Sequence, residues 1–305
     1  MPPVTPTTTN IVPVFQVGVR GGLDAGSRVD RRSLLVVSPA GAATAAPRAG
    51  SVDAMCTVVI DIPASAADPV RLLAVRDEDR DRPWRGLGPW WPERGGILGV
   101  RDDRAGGAWL AVDSAAGRLA VLLNREDLSG RGDDEVISRG GIPLDAVEHG
   151  IPDQPLTRGF NLVEVDAAGA HLVEWDGLIA RRTRLTPGTH MVAHHAVDDP
   201  GTPRISRWLD EFRRAGLAPG EEWWMPWLDV VKRSTVDPSA SVLRRDAHDD
   251  LVLESLLVCA ASIGPDGVDV REARLIEPGQ WDDGLVARLR AAIPSGRAAA
   301  ADTPR

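Results

Sequence analysis

Short apolar stretches separated by turn residues run along the chain from position 56 onward. The β-branched stretch 56–61 predicts a first strand. Residues 70–75 predict a second strand, and the charged run 76–79 predicts the turn that closes it. Later segments of the same kind predict two hairpins and further strands: 97–100, 108–112 with 119–123, 160–165 with 171–175, 189–197, 251–262 and 268–276.

Two segments predict helices instead. Apolar residues at i, i+3, i+4 and i+7 from Ile205 form the stripe of an amphipathic helix, and Pro203 suits its first turn. The tryptophan-rich segment 221–233 predicts a second helix. Many strands joined by hairpins, with a few helices between them, predict an α+β fold with a largely antiparallel sheet.

The two ends of the chain lack this patterning. Residues 1–54 are rich in Pro, Thr, Ala and Gly, which predicts a disordered extension. Two alternatives stay open for this segment: a start site misplaced upstream of Met55, and a weak twin-arginine export signal at Arg31-Arg32. We therefore expect one domain over residues 55–295 and a flexible tail over 296–305.

Composition narrows the class of protein. The formal net charge of −9 argues against a nucleic-acid surface, and no apolar run reaches the roughly 18 residues of a membrane span. Two cysteines, Cys56 and Cys259, form no disulfide framework, which favours the cytoplasm. Lys232 is the only lysine, a bias typical of GC-rich bacterial genomes. The residues imply no cofactor and indicate no oligomeric state.

Seven short motifs follow one another along the chain: Met55-Cys56-Thr57-Val58-Val59, Leu73-Ala74-Val75-Arg76-Asp77-Glu78, Arg82-Pro83-Trp84, Ala105-Gly106-Gly107-Ala108-Trp109-Leu110-Ala111, Leu122-Leu123-Asn124, Pro187-Gly188-Thr189-His190 and Asp198-Asp199-Pro200. In this order they resemble the NRDE family, whose eukaryotic member is Transport and Golgi organisation protein two. Val75 stands where the family signature begins with Asn.

The NRDE family is in turn similar to the N-terminal-nucleophile amidases. The resemblance implies a four-layer αββα sandwich and a cysteine amidohydrolase or acyltransferase acting on a small amide or thioester. Cys56, as the first residue, would be the nucleophile, and its own α-amino group would be the base. Arg76 would lower the pKa of the thiol, and Asp77 or Asp79 would orient the amine.

Two more residues enter through the same resemblance. Asn124 would supply part of an oxyanion hole. His194 stands where the family usually carries Asn, and an imidazole differs from an amide in size and in the hydrogen bonds it can donate. Residues 252–255 stand where many relatives carry an arginine that this chain lacks.

The same residues have plainer interpretations. Cys56 suits a buried core position, the run 76–79 suits a solvated turn, and Asn124 suits a turn or cap. The amine-base mechanism also requires that Cys56 be the first residue, whereas 54 residues precede Met55 here.

A different class of function also fits the sequence: a non-catalytic carrier of haem or acyl-coenzyme A-type lipid ligands. Its features are Trp223, Trp224 and Trp227, which would line an apolar groove or pack a helix. The histidines His190, His194 and His195 are further features of this kind. His190 and His194 would share a strand face, but no third metal ligand accompanies them.

Overall fold

Strands and helices alternate irregularly along residues 56–248 and 251–292, the part of the chain that the computed structural model describes. The predictions for residues 1–54 and 296–305 lie outside it. The strands, in chain order, are β1 (Thr57–Ile62), β2 (Val70–Asp79), β3 (Trp84–Gly88), β4 (Ile97–Asp102), β5 (Ala108–Asp113), β6 (Arg118–Asn124), β7 (Phe160–Asp166), β8 (Gly169–Trp175), β9 (Ala180–Arg184), β10 (Gly188–Val192), β11 (Arg245–His248), β12 (Leu251–Gly264) and β13 (Gly267–Arg274). The helices are α1 (Gly141–Glu148), α2 (Pro203–Ala215), α3 (Met225–Ser234) and α4 (Gly284–Ala291).

The strands form two sheets. In the six-stranded sheet, β1 lies between β10 and β2, and β2 pairs in turn with β12. The other edge of β12 pairs first with β11 and then with β13. The seven-stranded sheet is a meander from β3 to β9, each strand pairing with the next in sequence. All these pairings are antiparallel, so the predicted α+β fold with mainly antiparallel sheets is confirmed.

A first hydrophobic core lies between the two sheets. It contains alternate residues of β1, β2 and β12 from the six-stranded sheet and of β5 to β8 from the other. Because successive side chains of a strand point to opposite faces, Leu72 and Ala74 enter this core while Leu73 and Val75 do not.

Helices cover the outer faces of both sheets. Leu73 and Val75 belong to a second core in which the six-stranded sheet packs against α2, α3 and α4. A third core joins the seven-stranded sheet to α1. The order helix, sheet, sheet, helix explains why β1, β2 and β12 are nearly continuous apolar runs, since both of their faces are buried. None of the helices in the described ranges is long and apolar enough to cross a membrane.

Three boundaries predicted from the pattern are wrong. The charged run 76–79 is not a turn but the last part of β2, paired with β12. The strand expected over 189–197 ends at Val192, and the helix expected from 221 begins at Met225. The strand β9 was missed because all five of its residues are exposed, which removes any apolar alternation.

A close backbone contact fixes α1 on the seven-stranded sheet. The N–H of Ala108 donates to the carbonyl of Gly140, 2.7 Å away, at the start of the helix. A Cβ on Gly107 would lie 2.3 Å from the carbonyl carbon of Gly140, closer than real atoms approach. Glycine at 107 is therefore required by packing, and the Gly-Gly motif in the sequence positions the helix.

We expect Gly107→Ala to lower the free energy of unfolding by about 1–3 kcal/mol, because the added methyl group must push the two backbones apart. Urea denaturation measures the change. Gly141→Ala is the matched control, since a Cβ there meets nothing within 4 Å. The control should be neutral or stabilising by at most about 1 kcal/mol. Equal losses in both variants would contradict the packing argument.

Candidate active site

A cavity of about 430 Å³ opens where the ends of β1 and β2 face β5, β6 and the start of α1. It brings together residues from both sheets and from the loop before α1. Its lining consists of Cys56, Arg76, Asp77, Glu78, Arg82, Asp102, Arg104, Ala105, Ala108, Trp109, Leu122, Asn124, Ile137, Ser138, Arg139, Gly140 and Arg158. Cys56, Arg76, Asp77 and Asn124, four of the six residues expected at the site, therefore share one cavity.

The thiol of Cys56 is held between the sheets. Thr57 pairs with Val75, so Cys56, one residue earlier, stands next to Arg76. Cys56 Sγ lies 3.4 Å from the donating N–H of Asp77 and 3.6 Å from its carbonyl oxygen, to which the thiol donates. These two contacts with the backbone of Asp77 fix the position of the sulfur in the cavity wall.

Burial controls the ionisation of this thiol. Desolvation, followed by the charge of Asp77, raises the pKa of Cys56 to about 12. The Asp77 N–H lowers it, and Arg76 acts in the direction expected from the sequence, but both effects are smaller than that of burial, so the expected lowering of the thiol pKa is not found. Within the described structure, Cys56 is therefore a neutral thiol at neutral pH.

The carboxyl group of Asp77 lies on the other face of β2, toward the helices. The hydroxyl of Ser255 donates to its Oδ1, and Nη1 of Arg204 lies 3.6 Å from its Oδ2. Burial raises the pKa of Asp77 to about 7, against the opposing effects of Arg204 and Ser255. Only the backbone of Asp77 contacts the thiol, and its side chain belongs to a separate buried cluster.

Arg204 belongs to this cluster but was not among the residues expected at the site. It lies in the first turn of α2 with about 1% of its surface exposed, and its Nη1 donates to Thr57 Oγ1 at 3.1 Å. Thr57 directly follows Cys56. The signal was present in the sequence: Arg204 stands four residues before Trp208, on the apolar stripe of the helix, where a charge needs a buried partner. An arginine thus comes from α2 rather than from residues 252–255.

A β-bulge places Ser255 in the same cluster. Ser255 pairs with Asp77 and Leu257 pairs with Arg76, so Leu256 is an extra residue in β12. Cross-strand partners share a face of the sheet, so the bulge turns Ser255 toward the helices and Leu257 toward the core between the sheets.

Asp79 and His194 do not line the cavity. Asp79, at the end of β2, accepts a hydrogen bond from the N–H of Asp81 at 3.0 Å. His194 follows the end of β10, and Asn161 holds this segment by donating to the carbonyls of Ala193 and His195. Burial, followed by His195 and Arg204, lowers the pKa of His194 to about 3, so its imidazole is neutral.

The tryptophans and histidines that favoured a carrier are engaged in contacts within the protein. Trp224 and Trp227 are buried in the core between α3 and the six-stranded sheet. Trp223 packs edge-on against Trp227 and carries Arg71 over its ring. The prediction that His190 and His194 share a strand face is wrong because β10 ends at Val192.

His190 has other partners: its Nδ1 lies 2.7 Å from Asp198 Oδ2. No group of three or more metal-ligating side chains occurs among the residues described.

The sequence model of the Transport and Golgi organisation 2 family matches residues 55–250. The chain belongs to this family. The match begins one residue before Cys56 and covers every cavity residue together with Arg204, while Ser255 lies beyond it. No curated protein matches the chain at a significant level.

The raised pKa of this family member's thiol has a direct consequence for alkylation. Because the thiolate fraction grows about tenfold per pH unit below the pKa, the rate at which iodoacetamide modifies Cys56 should rise steadily from pH 7 to pH 10. Mass spectrometry of the modified peptide measures the rate. In urea the same peptide should level off above an ordinary thiol pKa of about 8.5. A plateau below pH 9 in the folded protein would contradict the assignment.

The buried cluster should show strong coupling. Arg204→Met leaves the carboxyl group of Asp77 without its cation, and we expect a loss of about 3–5 kcal/mol in the free energy of unfolding. Adding Asp77→Asn should recover part of that loss, as a double-mutant cycle measured by urea denaturation would show. Arg214→Met, which breaks an exposed pair with Glu211, is the control and should cost at most about 1 kcal/mol. Additive losses would refute the coupling.

Proposed function

We propose that the chain is a cysteine amidohydrolase or acyltransferase in which Cys56 is the nucleophile. The observation that carries this proposal is the placement of the thiol in the wall of a cavity of about 430 Å³, beside a buried arginine. A cysteine with a purely structural role needs neither an adjoining cavity nor a cation next to its sulfur.

The chemistry follows from these groups. Cys56 Sγ attacks the carbonyl carbon of an amide or thioester and forms a C–S bond, and the thiol proton passes through the base to the leaving amine or thiol. Water or a second acceptor then cleaves the acyl-enzyme. In this proposal Asn124, which lines the cavity, stabilises the oxyanion, and Arg76 favours negative charge on sulfur.

The base is the α-amino group of Cys56 in this proposal. As an internal residue Cys56 offers only an amide nitrogen, which accepts no proton, and its thiol has a pKa of about 12. Removal of the preceding residues would create an amine with a pKa near 8, next to the sulfur. The order helix, sheet, sheet, helix supports an N-terminal-nucleophile scaffold for this chemistry.

The carrier of haem or acyl-coenzyme A-type lipids is the weaker alternative. Trp224 and Trp227 pack in the core, and His190 is engaged by Asp198. We therefore base the proposal on the cavity at Cys56.

Two measurements test the catalytic proposal. Intact mass of the protein from its natural host gives its native N-terminus, which we expect at Cys56. Hydrolysis of a panel of N-acyl amino acids and acyl thioesters then compares the wild type with Cys56→Ala and Cys259→Ala. We expect Cys56→Ala to lower kcat/KM by at least about a thousandfold, because the covalent route is lost. Cys259, fully buried in the core between the sheets, is the matched control and should retain activity.

Either of two results would overturn the proposal. Unchanged turnover in Cys56→Ala would exclude the nucleophile. Full activity in a protein that retains the residues before Cys56 would exclude the amine as the base.

A further inference from the structure

The cavity beside Cys56 has more positive than negative groups, although the chain as a whole has a net charge of −9. Five arginines line it, against three acidic residues. The acidic residues are Asp77, Glu78 and Asp102; the arginines are Arg76, Arg82, Arg104, Arg139 and Arg158. The local surplus of cations suits an anionic ligand.

Only some of these arginines form ion pairs with carboxylates of the chain. Arg82 pairs with Asp102, and Arg158 pairs with Asp127 and Asp133 outside the cavity lining. The carboxyl group of Asp77 faces Arg204 on the other side of the sheet.

Arg139 is a half-buried cation in the cavity wall, directly before α1. Its Nη1 donates to the carbonyl of Gly159 at 2.9 Å, and no carboxylate among the described residues forms an ion pair with it. Burial lowers the pKa of Arg139 from its ordinary value, against the opposing charge of Glu78 and the smaller effects of Asp127 and Cys56.

Arg76 provides a second, independent observation. It is about 2% exposed, and its Nη2 donates to Glu78 Oε2 at 3.2 Å. Its Nη1 is buried without a hydrogen-bond acceptor among the described residues. A buried guanidinium N–H without an acceptor is costly, and a ligand oxygen in the cavity would satisfy it.

The N-terminus of α1 adds to the positive charge of the cavity. Ser138, Arg139 and Gly140 line the cavity directly before this helix of eight residues. Its first turn contains no acidic residue that would satisfy the partial positive charge of the helix N-terminus. The contact between Gly107 and Gly140 holds this end of the helix in place.

We propose that Arg76, Arg139 and the N-terminus of α1 form a subsite for an anionic oxygen group, a carboxylate or a phosphate, on the substrate. The role as a substrate subsite rests on the proposed function, because Cys56 shares the cavity. The substrates are then acyl compounds that carry a negative charge close to the acyl group, such as N-acyl amino acids. Neutral amides of the same size bind less well.

Alkylation of Cys56 tests the subsite with two reagents of similar size, anionic iodoacetate and neutral iodoacetamide. Both rates depend on the same thiolate fraction, so their ratio reports only the preference for negative charge. We expect the iodoacetate-to-iodoacetamide ratio for the folded full chain to exceed the ratio in urea by about tenfold, the effect of one or two charge-assisted hydrogen bonds.

Variants assign the effect to Arg139. Arg139→Gln should return the ratio to within about twofold of the value in urea, and Arg139→Lys should retain part of it because the charge is kept. Arg181→Gln removes an equal charge from the exposed strand β9, outside the cavity, and should leave the ratio unchanged. Circular dichroism verifies that each variant is folded.

Competing ligands identify the anion. Propionate and inorganic phosphate are compared with neutral propionamide, both as protectants of Cys56 and by titration calorimetry, which is independent of the thiol. Protection by propionate alone assigns a carboxylate site, and protection by phosphate alone assigns a phosphate site. Equal protection by propionamide overturns the proposal.

The remaining outcomes are also decisive. A ratio equal to that in urea, or one unchanged in Arg139→Gln, overturns the subsite even if Cys56 proves essential for turnover. If neither reagent modifies Cys56, the calorimetry decides: no anion binding, or equal binding to Arg139→Gln, overturns it. A retained ratio together with turnover that survives Cys56→Ala overturns the catalytic proposal and leaves an anion-binding cavity.

Discussion

The burial of β2 on both of its faces is the constraint on which the site depends. Neighbouring residues of this strand enter different environments, so Arg76 points between the sheets while the carboxyl group of Asp77 points toward the helices. Buried charges are tolerated only with partners. Arg76 forms an ion pair with Glu78. The carboxyl group of Asp77 instead contacts Arg204 from α2 and accepts a hydrogen bond from Ser255 of β12. The end of β2 thus contributes residues both to the cavity and to the contacts with the helix layer.

Backbone geometry completes the arrangement. Because of the bulge at Leu256, Ser255 and Leu257, which are two residues apart, face opposite sides of the sheet, one polar and one apolar. On the opposite sheet, the contact of Gly107 with Gly140 sets how closely α1 approaches β5. Ala108 and Gly140 line the cavity beside this contact, so the main chain sets the spacing of that part of the cavity wall, whereas the bulge acts on the helix-covered face of the other sheet.

Local patterns were sufficient to predict much of this fold. The hairpin of β5 with β6, two apolar runs on either side of a turn, and the amphipathic stripe of α2 depend on neighbouring residues and were confirmed. The charged end of β2 was misjudged because its partners lie far away in sequence. The position of Arg204 on the apolar stripe of α2 indicates burial, but nothing near it in the chain shows that its partners are Thr57 and Asp77. Tertiary pairing decides where a charge is buried.

The six residues expected at the site also differ in whether local sequence or tertiary contacts determine their positions. Cys56 directly precedes β1 and Asn124 ends β6, and both strand ends could be predicted from the sequence. Arg76 lies within β2 and lines the cavity because side chains alternate along the strand. Asp77 contributes its backbone instead of its carboxyl group, and this exchange follows from the alternation of side chains. His194 lies in a segment held by Asn161 from the other sheet, a contact without a sequence signature.

The sequestered thiol of Cys56 also bears on how such a protein endures oxidative conditions. Peroxide attacks thiolates, and sulfenic acid forms most readily at exposed cysteines of low pKa. Cys56, which is about 6% exposed and has a thiol pKa of about 12, meets neither condition. Burial therefore slows oxidation of this cysteine, and a change that raised the thiolate fraction for catalysis would also raise its susceptibility to peroxide.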